Sequence, residues 1–220
     1  MKSRVKTIAA FTLIELLVAL AVIAILAALL LPATVRVSSK AKRSACTSNL
    51  RQVAIAIRLY AEDHGDVLPV LPQPNPYPNG IGCFYKEIVK GHAGLTGPAS
   101  PEEKLFICPS DRQLARDANH AFTSYTFNGF ERIGPYYVTR EGGYRLSGAA
   151  NPSRTVLVGE YTAFFGNSWH ARQARNHNNA MNVLAFADGH TAYAAIYWNG
   201  AQEPRWYEPP ETYDYSWRWD

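Results

Sequence analysis

His177, Asp188 and His190 lie within one short stretch, RNHNNAMNVLAFADGH at residues 175–190. Imidazole and carboxylate together ligate zinc, and Asp188 with neighbouring asparagine oxygens would suit calcium, so Asp188 is the candidate calcium ligand. The structural reading of the same residues is simpler: Asp188-Gly189 between two apolar runs spells a two-residue type I′ hairpin turn, with positive φ at both positions. Three cysteines, Cys46, Cys83 and Cys108, allow one bridge and one odd thiol. Their spacing does not choose the pair; Cys46 and Cys108 are carried as the candidate disulfide, although Cys46 reads equally well as a small buried apolar residue. The C-x-x-C spacing of zinc ribbons and redox motifs is absent. No Ser-His-Asp set, paired carboxylates or glycine-rich phosphate loop stands out, and His64, His92, His120 and His170 sit in polar, loop-like contexts. No catalysis is expected.

One further charge is out of place. Glu15 interrupts FTLIELLVALAVIAILAALLL, an otherwise apolar run covering residues 11–31. As a helix that run is roughly 31 Å long, about the thickness of a bilayer's hydrocarbon core. Lys2, Arg4 and Lys6 precede it, which by the positive-inside rule keeps the N-terminus in the cytoplasm and sends the rest outward. A carboxylate in such a helix costs up to ~2.5–3.5 kcal/mol on insertion scales, so it requires a partner.

The stretch AFTLIELLVALAVIAILAALLLP resembles the leader and N-terminal helix of type IV prepilins and type II secretion pseudopilins. That resemblance implies a leader at residues 1–10, cleavage between Ala10 and Phe11 by prepilin peptidase, and methylation of the new Phe11 amine. Glu15 then pairs with the Phe11 amine of a neighbouring subunit, turning a penalty into register. The family usually places Gly before the cut, where this chain has Ala10. Implied partners are prepilin peptidase, other pilin or pseudopilin subunits, an inner-membrane assembly platform and membrane lipid. The implied location is a single-pass inner-membrane protein with a periplasmic head, or a cell-surface filament. Disulfides persist on that exported side.

Pro32 lacks the helical donor, so the helix is expected to kink or loosen there. Residues 32–64 then turn amphipathic, with Cys46, Leu50, Val53, Ile57 and Tyr60 forming one stripe and Gly65 a C′ residue. Residues 65–220 form the head. A proline-rich loop holds one short helical turn at residues 85–89, and five strands are expected at residues 122–128, 135–140, 155–159, 182–187 and 191–198. The fold class is α+β and pilin-like, with the long helix covering an antiparallel sheet.

Residues 175–190 also resemble a box of prepilin-type proteins in which His is followed by Asp-Gly at a fixed spacing. Here His177 and Asp188 are one residue further apart, so a bulge is expected near residues 184–186. Fragments at residues 46–52, 60–69, 108–111, 124–129 and 151–160 fit the same group. The formal charge of +4 falls to about +1 without Lys2, Arg4 and Lys6, which argues against nucleic-acid binding. The tail, residues 203–220, carries Trp206, Tyr207, Tyr213, Tyr215, Trp217 and Trp219 among acidic residues; the last four alternate with period 2, and the tail is expected to pack on the head. The alternative gives these rings to a carbohydrate or protein partner, with the N-terminal helix serving only as a tether.

Overall fold

The computed structural model describes residues 12–70, 83–129, 131–133, 136–138, 142–170, 178–200 and 209–219. The chain divides into two compact units, Met1–Lys40 and Ala41–Asp220. Helix α1, Leu13–Asp63, contributes residues to both.

In the N-terminal unit, α1 starts at a capping box that the TLIE sequence spells out. Thr12 N–H and Thr12 Oγ1 donate to Glu15 Oε2 at 2.9 and 2.7 Å, and Glu15 N–H donates to Thr12 Oγ1 at 3.3 Å. The helix is continuous through Pro32 in the isolated chain; the loosening that the resemblance implies belongs to assembled filaments. Large apolar side chains from Leu13 to Leu31 are 50–77 % exposed. This is a described helix long and apolar enough to cross a membrane.

In the second unit the continuing helix buries the expected stripe. Cys46, Leu50, Val53 and Ile57 are fully buried, joined by Ala54, Ala56 and Ala61. Each of the larger side chains contributes about 1.5–3 kcal/mol by leaving water. The helix stops where Gly65 takes φ 64° and Asp66 N–H reaches back to Ala61 O at 2.7 Å, a Schellman-type end. A short helix α2, Tyr85–Val89, follows at the expected place.

The sheet has four antiparallel strands in the order β1-β4-β5-β6: β1 Tyr125–Phe127, β4 Val156–Glu160, β5 Ala180–Phe186 and β6 Thr191–Ile196. Two further strands, β2 Glu131–Ile133 and β3 Tyr136–Val138, form a separate hairpin. The strand expected at residues 135–140 therefore leaves the main sheet and pairs with a strand the sequence reading passed over. Both are short, and a local partner costs less loop-closure entropy than a distant one.

Both sheet faces are covered. Val183 and Ala185 of β5 meet the helix stripe, Tyr125 and Phe127. Leu184 and Phe186 point the other way, into a second core with Val156, Phe164, Ile196, Tyr215 and Trp217. A strand buried on both faces reads as a continuous apolar run, as NVLAFA does. The tail supplies the second cover: Val156 N–H donates to Ser216 O at 2.9 Å, and Ser216 N–H to Arg154 O at 2.7 Å. Its rings alternate as expected, with Tyr215, Trp217 and Trp219 buried and Asp214 and Arg218 exposed.

Candidate functional site

Two places bring the marked residues together. The first is the start of α1. Glu15 makes a capping pair with Thr12, and both hydrogen bonds it accepts fall on Oε2. Ala10 and Phe11 lie outside the described residues. Pro32 falls within the helix rather than at an end. The S/T-x-x-E signal of a capping box was legible in Thr12 and Glu15, and it gives Glu15 an intrachain partner that charge and hydropathy alone did not suggest.

The second place is in the head, where the scattered fragments converge. Cys46, on α1, is bonded to Cys108, 62 residues away in sequence, with Cα atoms 4.8 Å apart. Cys83 is the free thiol; it is buried, and burial pushes its pKa up. Beside the bridge, His170 Nε2 lies 2.6 Å from Glu160 Oε1 and 3.8 Å from Cys108 Sγ. Glu160 at the end of β4 is fully buried and the His170 side chain is 2 % exposed. Each has a second anchor: Val183 N–H donates to Glu160 Oε2 at 2.9 Å, and Ser110 Oγ lies 3.4 Å from His170 Nδ1.

The surrounding polar residues lock this corner. Asp111 collects the N–H groups of Gln113, Leu114 and Ala115 and the Ser124 hydroxyl, while Ser124 Oγ accepts from Cys108 N–H at 3.0 Å. Asn49 Nδ2 donates to Lys104 O and Ile107 O at 3.0 and 2.9 Å. Asn128 Nδ2 donates to Val156 O and Trp217 O at 2.7 and 2.9 Å, and Trp219 Nε1 donates to Asn128 O at 2.6 Å. Burying so many polar groups is tolerable because each finds a partner. Sequence reasoning missed Glu160 and His170 as a pair. Nothing in their spacing signals it, since the strand end and the loop meet only in the folded head.

The C-terminal box is a turn. Gly189 N–H donates to Phe186 O and Phe186 N–H to His190 O, at 2.9 and 3.0 Å, closing a three-residue loop. Gly189 alone has positive φ, 96°, and Asp188 does not. The expected two-residue type I′ turn is corrected to a type I turn followed by a left-handed glycine. An irregularity does fall at this level of the sheet, in the β4–β5 pairing: Val156 faces Phe186 and Val158 faces Ala185, so the extra residue is on β4, while β5 pairs with β6 in unbroken register.

Asp188 Oδ1 accepts from His190 N–H and faces His190 Nδ1, at 3.0 and 2.7 Å. Burial opposes its charge, but the His190 bonds and charge and the nearby Arg58 outweigh that and hold the carboxyl below its ordinary range. Arg58 of α1 donates to Ala187 O, seating the turn on the helix. Asp188 is thus committed to its own turn. His177, the proposed partner in zinc or calcium binding, lies outside the described residues. In the tail, burial removes Tyr215, Trp217 and Trp219 from any surface offered to carbohydrate.

Residues 6–31 match the model of the prokaryotic N-terminal methylation motif. The matched segment contains the Thr12–Glu15 box and the exposed apolar half of α1, and it is similar to the N-terminus of prepilin-type proteins. No curated protein and no solved structure matches the chain. The apolar helix and the motif together support a single-pass membrane anchor.

Proposed function

We propose that this protein is a prepilin-type structural subunit of a type II secretion pseudopilus or type IV pilus. Prepilin peptidase cleaves it between Ala10 and Phe11 and methylates the Phe11 amine, and the mature chain polymerises through its N-terminal helix. The observation that carries this reading is the methylation motif lying over a helix whose apolar side chains are exposed all round. Such a surface demands lipid first and neighbouring helices later. Lys2, Arg4 and Lys6 hold the N-terminus in the cytoplasm, and the head is periplasmic.

Within a filament, Glu15 keeps Thr12 on Oε2 and offers Oε1 to the Phe11 amine of the next subunit. The head's role is assembly and contact with other subunits and the inner-membrane platform, not catalysis. Burial of Tyr215, Trp217 and Trp219 weighs against the tethered-module alternative, while Trp206 and Tyr207 of the same tail lie outside the described residues.

The test is the intact mass of the chain recovered from membranes, with and without co-expressed prepilin peptidase. A mature species beginning at N-methyl-Phe11, formed only with the peptidase, is the expected result. An uncleaved chain, or one cut beyond the apolar run, would overturn the proposal.

A further inference from the structure

The disulfide and the Glu160–His170 pair form one cluster. The Sγ atoms of Cys46 and Cys108, a Glu160 carboxylate oxygen and a His170 ring nitrogen all lie within 4.8 Å of one another. While the bridge stands, its sulfurs are poor metal ligands. Once it is broken, the four groups become two thiolates, an imidazole and a carboxylate, a donor set suited to tetrahedral zinc. From ordinary zinc bond lengths, the edges of such a tetrahedron are about 3.3–3.8 Å, so the side chains need only small rotations.

The hydrogen bonds around the cluster match what a zinc ligand needs on its far side. His170 directs Nε2 toward Cys108 Sγ while Nδ1 faces Ser110 Oγ. Glu160 directs Oε1 inward while Oε2 is held by Val183 N–H. Outer bonds of this kind fix the tautomer and orientation of a ligating histidine and the angle of a ligating carboxylate. A disulfide needs no such pair beside it. Burying a histidine and a glutamate for packing alone would incur a desolvation penalty that a hydrophobic pair of similar volume avoids.

We propose that the reduced head binds one zinc ion through Cys46, Cys108, Glu160 and His170, so that the same corner is closed either by a disulfide or by zinc. The redox step is a two-electron reduction by a dithiol. The Sγ–Sγ bond breaks, two protons and two electrons pass to the cysteines, and the dithiol leaves as its own disulfide. Zinc then displaces the two thiol protons and forms two Zn–S bonds. Oxidation by a disulfide reverses the sequence and expels the ion. Both cross-links tie α1 to the loop at Cys108; the zinc form adds the end of β4 and the segment at His170. This inference does not depend on the filament reading.

The experiment uses the full chain in detergent, reduced with a phosphine and freed of it without air. Zinc alone is then added, and bound metal is measured after gel filtration, with cobalt as a spectroscopic substitute. The expected result is one zinc per reduced chain and none per oxidised chain. Cobalt should show tetrahedral d–d bands with thiolate charge transfer. Glu160→Gln and His170→Ala should weaken zinc binding by tenfold or more, and Ser110→Ala about tenfold. The Cys46→Ser/Cys108→Ser variant, which keeps Cys83, should bind none.

Three results would overturn the proposal. One is a reduced chain that keeps its near-UV circular dichroism yet takes up no zinc. Another is a reduced head that stays unfolded with zinc present. The third is zinc uptake that Glu160→Gln and His170→Ala leave unchanged, which would mark an adventitious ion only.

Discussion

At the scale of single residues, the head relies on buried polar side chains that each satisfy backbone groups no ladder reaches. Asn128 is the clearest, serving carbonyls of β4 and of the tail with one amide. Asn128→Ala leaves both carbonyls without a donor in a dry site and should cost about 2–3 kcal/mol, read as a lower urea midpoint at unchanged slope. Asn128→Asp should cost more, since it points a carboxylate at two carbonyl oxygens. Lys86 is fully buried, with Nζ 2.7 Å from Glu103 Oε2 and 2.7 Å from Ala121 O. Burial favours the neutral form of both partners. For Glu103 it is outweighed by bonds from Lys86 and Ser100 N–H and by the charges of Lys86 and Lys90, so its pKa is lowered. For Lys86 burial prevails and its pKa is lowered too. A depressed carboxyl contributes stability above its unfolded value of about 4.3, lost as pH falls toward the folded value. Acid unfolding of the wild type should therefore be steeper below about pH 4.3 than that of Lys86→Met/Glu103→Leu. Parallel acid limbs in the two proteins would contradict this.

At the scale of elements, the β5–β6 hairpin depends on a glycine whose cost can be separated from crowding. An added Cβ at Gly189 would meet the Arg58 side chain at 3.7–3.8 Å, ordinary contact, so the penalty of Gly189→Ala is that of the backbone. It should be about 1–2 kcal/mol, and Gly189→Asn should recover part of it because asparagine tolerates the left-handed region. Equal losses for Ala and Asn, measured by thermal unfolding, would place the cost elsewhere. The C-terminal segment behaves as an element of the core. Ending the chain after Pro209 uncovers Val156, Leu184, Phe186 and Ile196 on the second sheet face. Such a truncation should abolish cooperative unfolding and raise binding of a hydrophobic dye. A soluble, cooperatively folding truncated head would show that the tail only decorates the sheet.

At the scale of the whole molecule, the exposed apolar half of α1 has its own requirements. Glu15→Ala leaves the apolar run intact and even lowers its insertion cost, so membrane retention should be unchanged or improved. Filament assembly should fall by tenfold or more, scored as subunits sheared from cells or recovered in a pseudopilus fraction, because the carboxylate that sets register is gone. Undiminished assembly would reduce the helix to an anchor.

Two features that depend on local order were legible in the chain: an apolar run of membrane length, and the apolar stripe that ends at Gly65; the cap that Thr12 and Glu15 form was spelled out but not read. These rest on spacing within a few turns of one helix, so neighbours in sequence are neighbours in space. The tail's alternation was legible for the same reason. Long-range packing set the remaining features. It joined Cys46 to Cys108, set Glu160 against His170, moved the strand at Tyr136–Val138 out of the main sheet, and made Ala187-Asp188-Gly189 a three-residue turn. Those outcomes depend on which distant segments share a core and on the entropy of closing the loops between them, and no residue spacing records that.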